Sequence, residues 1–333
     1  MDYAASWPFF RDLLWSPKAQ GTRSFHRARE DGAYPMVSDL QYLVPVVALF
    51  YLGVKFLLDT CVFNRVCKRF LRLKEQPLPF DSPRLEKIYV EHKPHLPDIN
   101  EIKAFSKELG KSVEDLNKWF RFRQVRDRQA VKVRVCSESM WRLLMYGVCV
   151  VMNLQIIRSQ AWAKDITKCW EDVPFQLNDP VVKLFYVGVE IPLYMCLLFL
   201  QVWDNRKAKD RWEMTTHHAL VLLLISLVYV GNFVRIGMVG LLLHDITDIF
   251  LETSKLASSF RYKGLSDLMF AGFGISWGYC RLYLFSTLII RSIFSDGKQV
   301  IGFGFNFLVG LIFVLYLLNL YWFKKIAFLM YRL

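Results

Sequence analysis

The sequence predicts an all-α polytopic membrane protein with about seven transmembrane helices and a small helical insert on the cytosolic side. Three observations carry this. Hydrophobic residues make up 54% of the 333-residue chain and aromatics 16%, above the roughly 45–50% apolar usage of soluble domains. Apolar stretches close to the ~20 residues that a spanning helix needs recur along the chain. The 43 Lys+Arg against 30 Asp+Glu leave a formal net charge of +13, and the cations gather in alternate loops, as in a membrane protein that holds them on one side. The same numbers exclude disordered, collagen-like and coiled-coil chains. Seven Cys without CxxC or zinc-finger spacing give no disulfide framework and no structural zinc site.

Residues 1–39 contain Trp7, Phe9 and Phe10 but no continuous apolar run, so no signal peptide is expected. The first span, 40–63, meets Lys55 and Asp59 near its end, where a Lys can snorkel. After the insert come expected spans at 141–157, 181–203 (with Glu190), 217–231, 233–257, 268–290 (with Arg281) and 299–323. The last has 25 residues without a charge, and 233–257 is the least hydrophobic. Arg65, Lys68, Arg69, Arg72 and Lys74 follow the first span; Arg206, Lys207, Lys209 and Arg211 follow the third. Lys255, Arg261 and Lys263 close the fifth, and Lys324, Lys325 and Arg332 follow the seventh. All four clusters fall on one side, which the positive-inside rule makes cytosolic, with the N-terminus luminal and the C-terminus cytosolic. The expected organisation is a luminal segment 1–39, a first span 40–63, an insert 64–136, a membrane domain 137–328 and a tail 329–333.

The insert carries 18 Lys+Arg against 10 Asp+Glu. Its 96–110 stretch resembles the second helix of a homeodomain, and Ser112 to Arg123, with Trp119-Phe120, resembles the recognition helix. Ser112 is the expected N-cap, with Glu114 and Asp115 in the first turn. A homeodomain reads adenine with an Asn two residues after that Phe; Phe122 stands there. A basic N-terminal arm and a clear first helix are also missing, so DNA binding is not expected: the insert reads as a small basic helical module that packs on the membrane domain, or one whose cations meet lipid headgroups or the phosphates of an anionic substrate.

Ionisable residues inside spans cost about 2.5–3.5 kcal/mol each on insertion scales and mark function by default. Here they cluster on two consecutive spans: His217 and His218 open the fourth, and the fifth carries His244, Asp245, Asp248, Glu252 and Lys255. The 3,4,3 spacing from Asp245 to Lys255 makes one polar stripe on a helix. The tight Gly231-Asn232 connection makes the two spans antiparallel, which brings the His pair level with Asp248 and Glu252 and leaves His244 deeper. His217 and His218 point ~100° apart, so one reacts while the other orients or binds. Neither HxxxH nor HxxHH occurs, which leaves zinc on three His as the metal alternative. Metal-free His–Asp chemistry near neutral pH suits acyl transfer, with the carboxylate fixing one imidazole tautomer.

The runs Glu213 to His218, Val228 to Gly237 and Leu243 to Lys255 closely resemble the signature of ceramide synthases, members of the TLC-domain membrane family, over roughly residues 130–325. The homeobox-like insert is a second mark of many animal members. The resemblance implies a TLC-type six-helix bundle plus one N-terminal span, in the endoplasmic reticulum membrane. It implies transfer of a fatty acyl group from acyl-CoA to the amine of a sphingoid base, with no cofactor and no metal. His217 and His218 match the catalytic pair; His244, Asp245 and Asp248 match the second half of the motif. Asn232, Arg235, Glu252 and Lys255, within the same runs, join the substrate-binding set. Two schemes fit: a histidine deprotonates the amine for direct attack on the thioester, or His217 or His218 first takes the acyl group. Arg206, Lys207, Lys209 and Arg211 are the candidates for the CoA phosphates, and 291–299 for acyl-chain selection. Homo- or heterodimers are expected partners. Members often carry an acidic, Ser-rich tail where this sequence stops, so tail regulation is not expected. The rivals are a zinc-dependent ceramide amidase and a non-catalytic TLC lipid-binding protein.

Overall fold

The structure is a computed structural model that describes residues 37–73, 77–92, 95–173, 176–203, 211–297 and 303–332. All regular elements among the described residues are helical. The main helices are α1 (Asp39–Phe70), α2 (Pro83–His92), α3 (Ile99–Leu109), α4 (Val113–Ile157), α5 (Pro180–Trp203), α6 (Arg211–Val230), α7 (Val234–Ser259), α8 (Lys263–Ser295) and α9 (Phe303–Tyr331). Six of them, α1, α4, α5, α6, α8 and α9, are long and apolar enough to cross a membrane. At 26 residues α7 is also long enough, but its charges keep it out of that apolar set. The expected luminal segment lies outside the described residues up to its last three, 37–39.

Two expectations need correction. The recognition-like segment and the second span are one helix: α4 runs unbroken for 45 residues, because 113–157 holds no proline and a single glycine, Gly147. The fourth span starts six residues before His217, at Arg211, so the histidines sit in its second turn instead of opening it.

By contact, Asp59–Ser139 forms one compact unit, and the described residues on either side form the other. The smaller unit has its own core of Leu85, Ile88, Tyr89, Ile102, Leu116, Trp119 and Phe120. Here the sequence reading missed a helix. A first helix is present, α2, and buries Leu85, Ile88 and Tyr89 at i, i+3, i+4 spacing. Asp98 and Glu101 close a reciprocal capping box on α3, and Ser112 Oγ accepts from Asp115 N at 3.0 Å to cap α4. Arg123 joins α2 to α4 through Glu86 (2.7 and 2.8 Å) and Asp127.

His92 ends α2 with Nδ1 2.8 Å from Ile88 O and Nε2 3.4 Å from Glu101 Oε1. The Ile88 carbonyl, and after it the Glu101 carboxylate, hold the imidazole above its ordinary range. A histidine raised by folding stabilises fully below its unfolded value of ~6.5 and loses that contribution as pH rises through the folded value. An NMR titration of labelled histidines is expected to give His92 a midpoint above ~6.5, lowered in Glu101→Gln; a midpoint at or below that value refutes the assignment.

In the larger unit α7 packs against α8, α6 and the turn Ile166–Cys169, while α5 packs against α1 and α6. Pro192 in α5 has no N–H for the carbonyl four residues earlier. That carbonyl, Gly188 O, accepts from Tyr51 Oη at 2.6 Å instead, and Tyr186–Glu190 opens into a wide π turn. The α6–α7 connection reverses the chain at Asn232, whose φ of 56° lies in the left-handed region. Gly237 lets α7 approach closely: an added Cβ would stand 2.5 Å from Val228 Cγ1 and closer still to Tyr186 Oη. Gly237→Ala is therefore expected to cost about 1–3 kcal/mol by overpacking, read as a lower melting temperature of the purified protein.

Candidate active site

Helices α5 to α9 and Trp170 line a partly open cavity of about 870 Å³. Its wall is largely aliphatic and aromatic, including Val221, Leu224, Ile225 and Val228 on α6 and Ile236 and Leu241 on α7. From Phe233 to Asp248 it follows α7 for about 22 Å at 1.5 Å per residue. At one end Trp170, Phe233 and Phe305 pack ring against ring, with centroids 5.6–6.2 Å apart. The other end, reached by the antiparallel run of α6 and α7, carries His217, His244, Asp248 and Arg281.

The polar end is built from four helices. Arg281, 3% exposed on α8, pairs through Nη2 with Asp248 Oδ1 at 2.7 Å and donates to His244 O at 2.8 Å. Its guanidinium lies 4.1 Å over the Trp277 ring, whose Nε1 donates to Asn319 O at 3.1 Å. Only an N–H can face a carbonyl, so His244 Nδ1, 2.8 Å from Gly240 O, carries the proton. Its Nε2 then accepts from Asn319 Nδ2 at 3.3 Å. Both nitrogens of His244 are thus engaged. His217 packs edge-on against Trp322 at 4.7 Å, and its Nδ1 has no hydrogen-bond partner among the described residues. His218 stands beside it, rings 5.5 Å apart, and beside Tyr194 at 6.4 Å; its Nδ1 is likewise unpartnered.

The expected stripe on α7 is divided among three neighbours. Asp248 turns to Arg281, and Glu252 takes Lys255 at 2.7 Å and Arg142 at 3.7 Å. Asp245, fully buried, faces Glu190 and Cys149 and does not line the cavity. Asn232 and Arg235 also lie off the cavity wall. Asn232 donates to Gln176 O at 3.0 Å and accepts from Asn178 at 2.6 Å, while Arg235 donates to Lys168 O and Leu177 O. Arg211 donates to Val202 O at 2.8 Å; Arg206, Lys207 and Lys209 lie outside the described residues, as do 298 and 299 of the chain-selection stretch. Arg281 and Asn319 carried no expected role. A lone Arg in an otherwise apolar span was a usable signal for the first; an isolated Asn gave none for the second. Among the described residues no group of three metal-capable side chains includes a histidine, so the three-His zinc site does not assemble.

An apolar cavity that ends in histidines on two antiparallel helices is a candidate site for chemistry on an apolar substrate. The TLC-domain family model matches residues 136–327, which cover α5 to α8, the second half of α4 and most of α9. Ceramide synthase 4 of Bos taurus is 31% identical over 324 residues, spanning 95% of this chain and 81% of its own. Ceramide synthase 4 of Homo sapiens is 29% identical over 320 residues, spanning 94% and 79%. Ceramide synthase LOH2 of Arabidopsis thaliana is 31% identical over 213 residues, 61% of this chain and 70% of its own. The chain belongs to the ceramide synthase family of TLC-domain membrane proteins and is an acyltransferase.

Proposed function

We propose that the chain transfers a fatty acyl group from acyl-CoA to the amino group of a sphingoid base, giving a (dihydro)ceramide in the endoplasmic reticulum membrane. The cavity carries this reading. It offers about 22 Å of largely apolar wall leading to a histidine with an unpartnered ring nitrogen. The acyl chain lies along the wall with its thioester carbon at His217. An imidazole nitrogen attacks that carbon, the carbonyl electrons move to oxygen, and the C–S bond breaks as the carbonyl reforms, releasing CoA as the thiolate. The acyl-imidazole keeps the chain in place while the sphingoid base replaces CoA. A lipid amine, like Lys, has a pKa near ~10 in water, and the apolar site disfavours its ammonium form. The neutral amine attacks, the bond to His217 breaks, and His218 accepts the proton that the amine sheds.

Arg281 has an unpartnered Nε–H at this end of the cavity; it stabilises the oxyanion of both tetrahedral intermediates. Asp248 fixes the guanidinium, and His244 holds the backbone and Asn319 around it. Arg206, Lys207, Lys209 and Arg211, a few positions before the histidines in the sequence, receive the CoA phosphates, on the cytosolic side, with the N-terminus luminal.

The test is purified protein with labelled acyl-CoA and sphinganine. Product is expected from the wild type and lost in His217→Ala, His218→Ala and Asp248→Ala; undiminished product from all three overturns the assignment. The ring cluster at the far end sets how long a chain fits. Phe305→Ala is expected to move the preferred acyl-CoA to a longer chain in a competition assay over graded chain lengths, and an unchanged preference refutes that placement.

A further inference from the structure

On the side of α7 away from the cavity, three fully buried groups from three helices converge: Cys149 of α4, Glu190 of α5 and Asp245 of α7. Their ligand atoms lie within 4.8 Å of one another. Glu190 and Asp245 are 0% exposed, and among the described residues no donor from outside the cluster reaches their four carboxylate oxygens; within it Glu190 stands at hydrogen-bonding distance from Asp245 and Cys149. The geometry is deliberate at the backbone level, because Glu190 is the last residue of the wide turn that Pro192 and Tyr51 create in α5. An α-helical turn there would swing it about 100° around the helix.

Two carboxylates buried this close together cannot both stay charged unless a cation lies between them; otherwise they must share a proton. The basic side chains nearest along α4 and α5 are committed elsewhere, Arg142 to Glu252 and Lys183 to Asp39, as are Lys255 of α7 to Glu252 and Arg281 of α8 to Asp248. We infer that Cys149, Glu190 and Asp245 hold a zinc ion that pins α4, α5 and α7 together. Sulfur with two carboxylate oxygens suits a borderline-soft divalent cation and disfavours Mg²⁺ or Ca²⁺. Zinc bonds of ~2.0–2.3 Å would draw the three ligands to roughly 3.5 Å apart, a closure of about 1 Å that side-chain rotation supplies. The site holds no histidine, so its role is structural and separate from the acyl-transfer chemistry. Asp245, adjacent to His244, would then set the rotation of α7 that aims His244 at the cavity.

The experiment uses full-length protein purified in detergent. Metal analysis by mass spectrometry is expected to find about one zinc per chain in the wild type and in His217→Ala. Less than a tenth of that is expected in Cys149→Ser and in Asp245→Asn. Protein produced with Co²⁺ should show a thiolate-to-cobalt charge-transfer band that Cys149→Ser abolishes, and a membrane-permeant zinc chelator should lower the melting temperature of wild type but not of Cys149→Ser. Should the variants fail to fold, the wild-type zinc content and cobalt band still decide. Metal-free wild type whose melting is indifferent to zinc and chelator overturns the inference and leaves Glu190 and Asp245 sharing a proton. Zinc that disappears in His217→Ala also overturns it, by moving the metal to the cavity.

Discussion

Wild-type protein given labelled acyl-CoA and no sphingoid base is expected to carry the label on His217 after rapid quenching, and His217→Ala to carry none. Turnover should fall by at least ~10³-fold in that variant, the scale of losing a nucleophile while binding contacts remain. The reason is the hydrogen-bond inventory of the three intramembrane histidines. His244 has Nδ1 on a backbone carbonyl and Nε2 on Asn319; His217 and His218 each keep an Nδ1 without a partner among the described residues, and of the two His217 lines the cavity. His244→Gln should therefore lower turnover through misplacement of Arg281 and Asn319 while labelling of His217 persists. Label found on no residue of the wild type, with product still formed, would favour direct attack by the amine.

Arg281→Met is expected to cost both stability and activity, and for different reasons. Removing the guanidinium leaves the Asp248 carboxylate in a buried site without its 2.7 Å partner. Breaking a buried pair from one side costs about 3–5 kcal/mol, seen as a lower melting temperature. The double variant Arg281→Met/Asp248→Leu removes both charges and should regain most of that stability. It should stay inactive, because the oxyanion has lost its donor. A double variant with substantial turnover would refute the catalytic role of Arg281; one no more stable than the single variant would refute the energetic account of the pair.

The α7 residues show how far sequence reading reaches. Spacing of 3 and 4 put Asp245, Asp248, Glu252 and Lys255 on one broad face, and on an isolated helix that is correct. In the bundle that face meets α4, α5 and α8 at once, so neighbouring acids part company: Asp248 to Arg281, Glu252 to Arg142, Asp245 toward Glu190. Asn232 and Arg235 belonged to the same recognisable run, yet they fasten the loop around Gln176, Leu177 and Lys168. A signature records which residues a fold needs without separating those that hold a loop from those that face the cavity. The missed first helix, α2, is short and polar along most of its surface; three buried residues suffice to fix it once α3 and α4 supply the opposing face.

The sequence alone determined that this is a helical membrane protein. It also determined the order and approximate limits of its spans, its basic insert and the histidines on two consecutive helices, because apolar length and residue type act locally along the chain. The tertiary structure decided which histidines line the long apolar cavity and that Arg281 stands beside them. Those depend on which neighbour each helix face meets, and a single wide turn, such as Tyr186–Glu190 in α5, rotates everything beyond it. Periodicity fixes the faces of one helix; only packing fixes what each face sees.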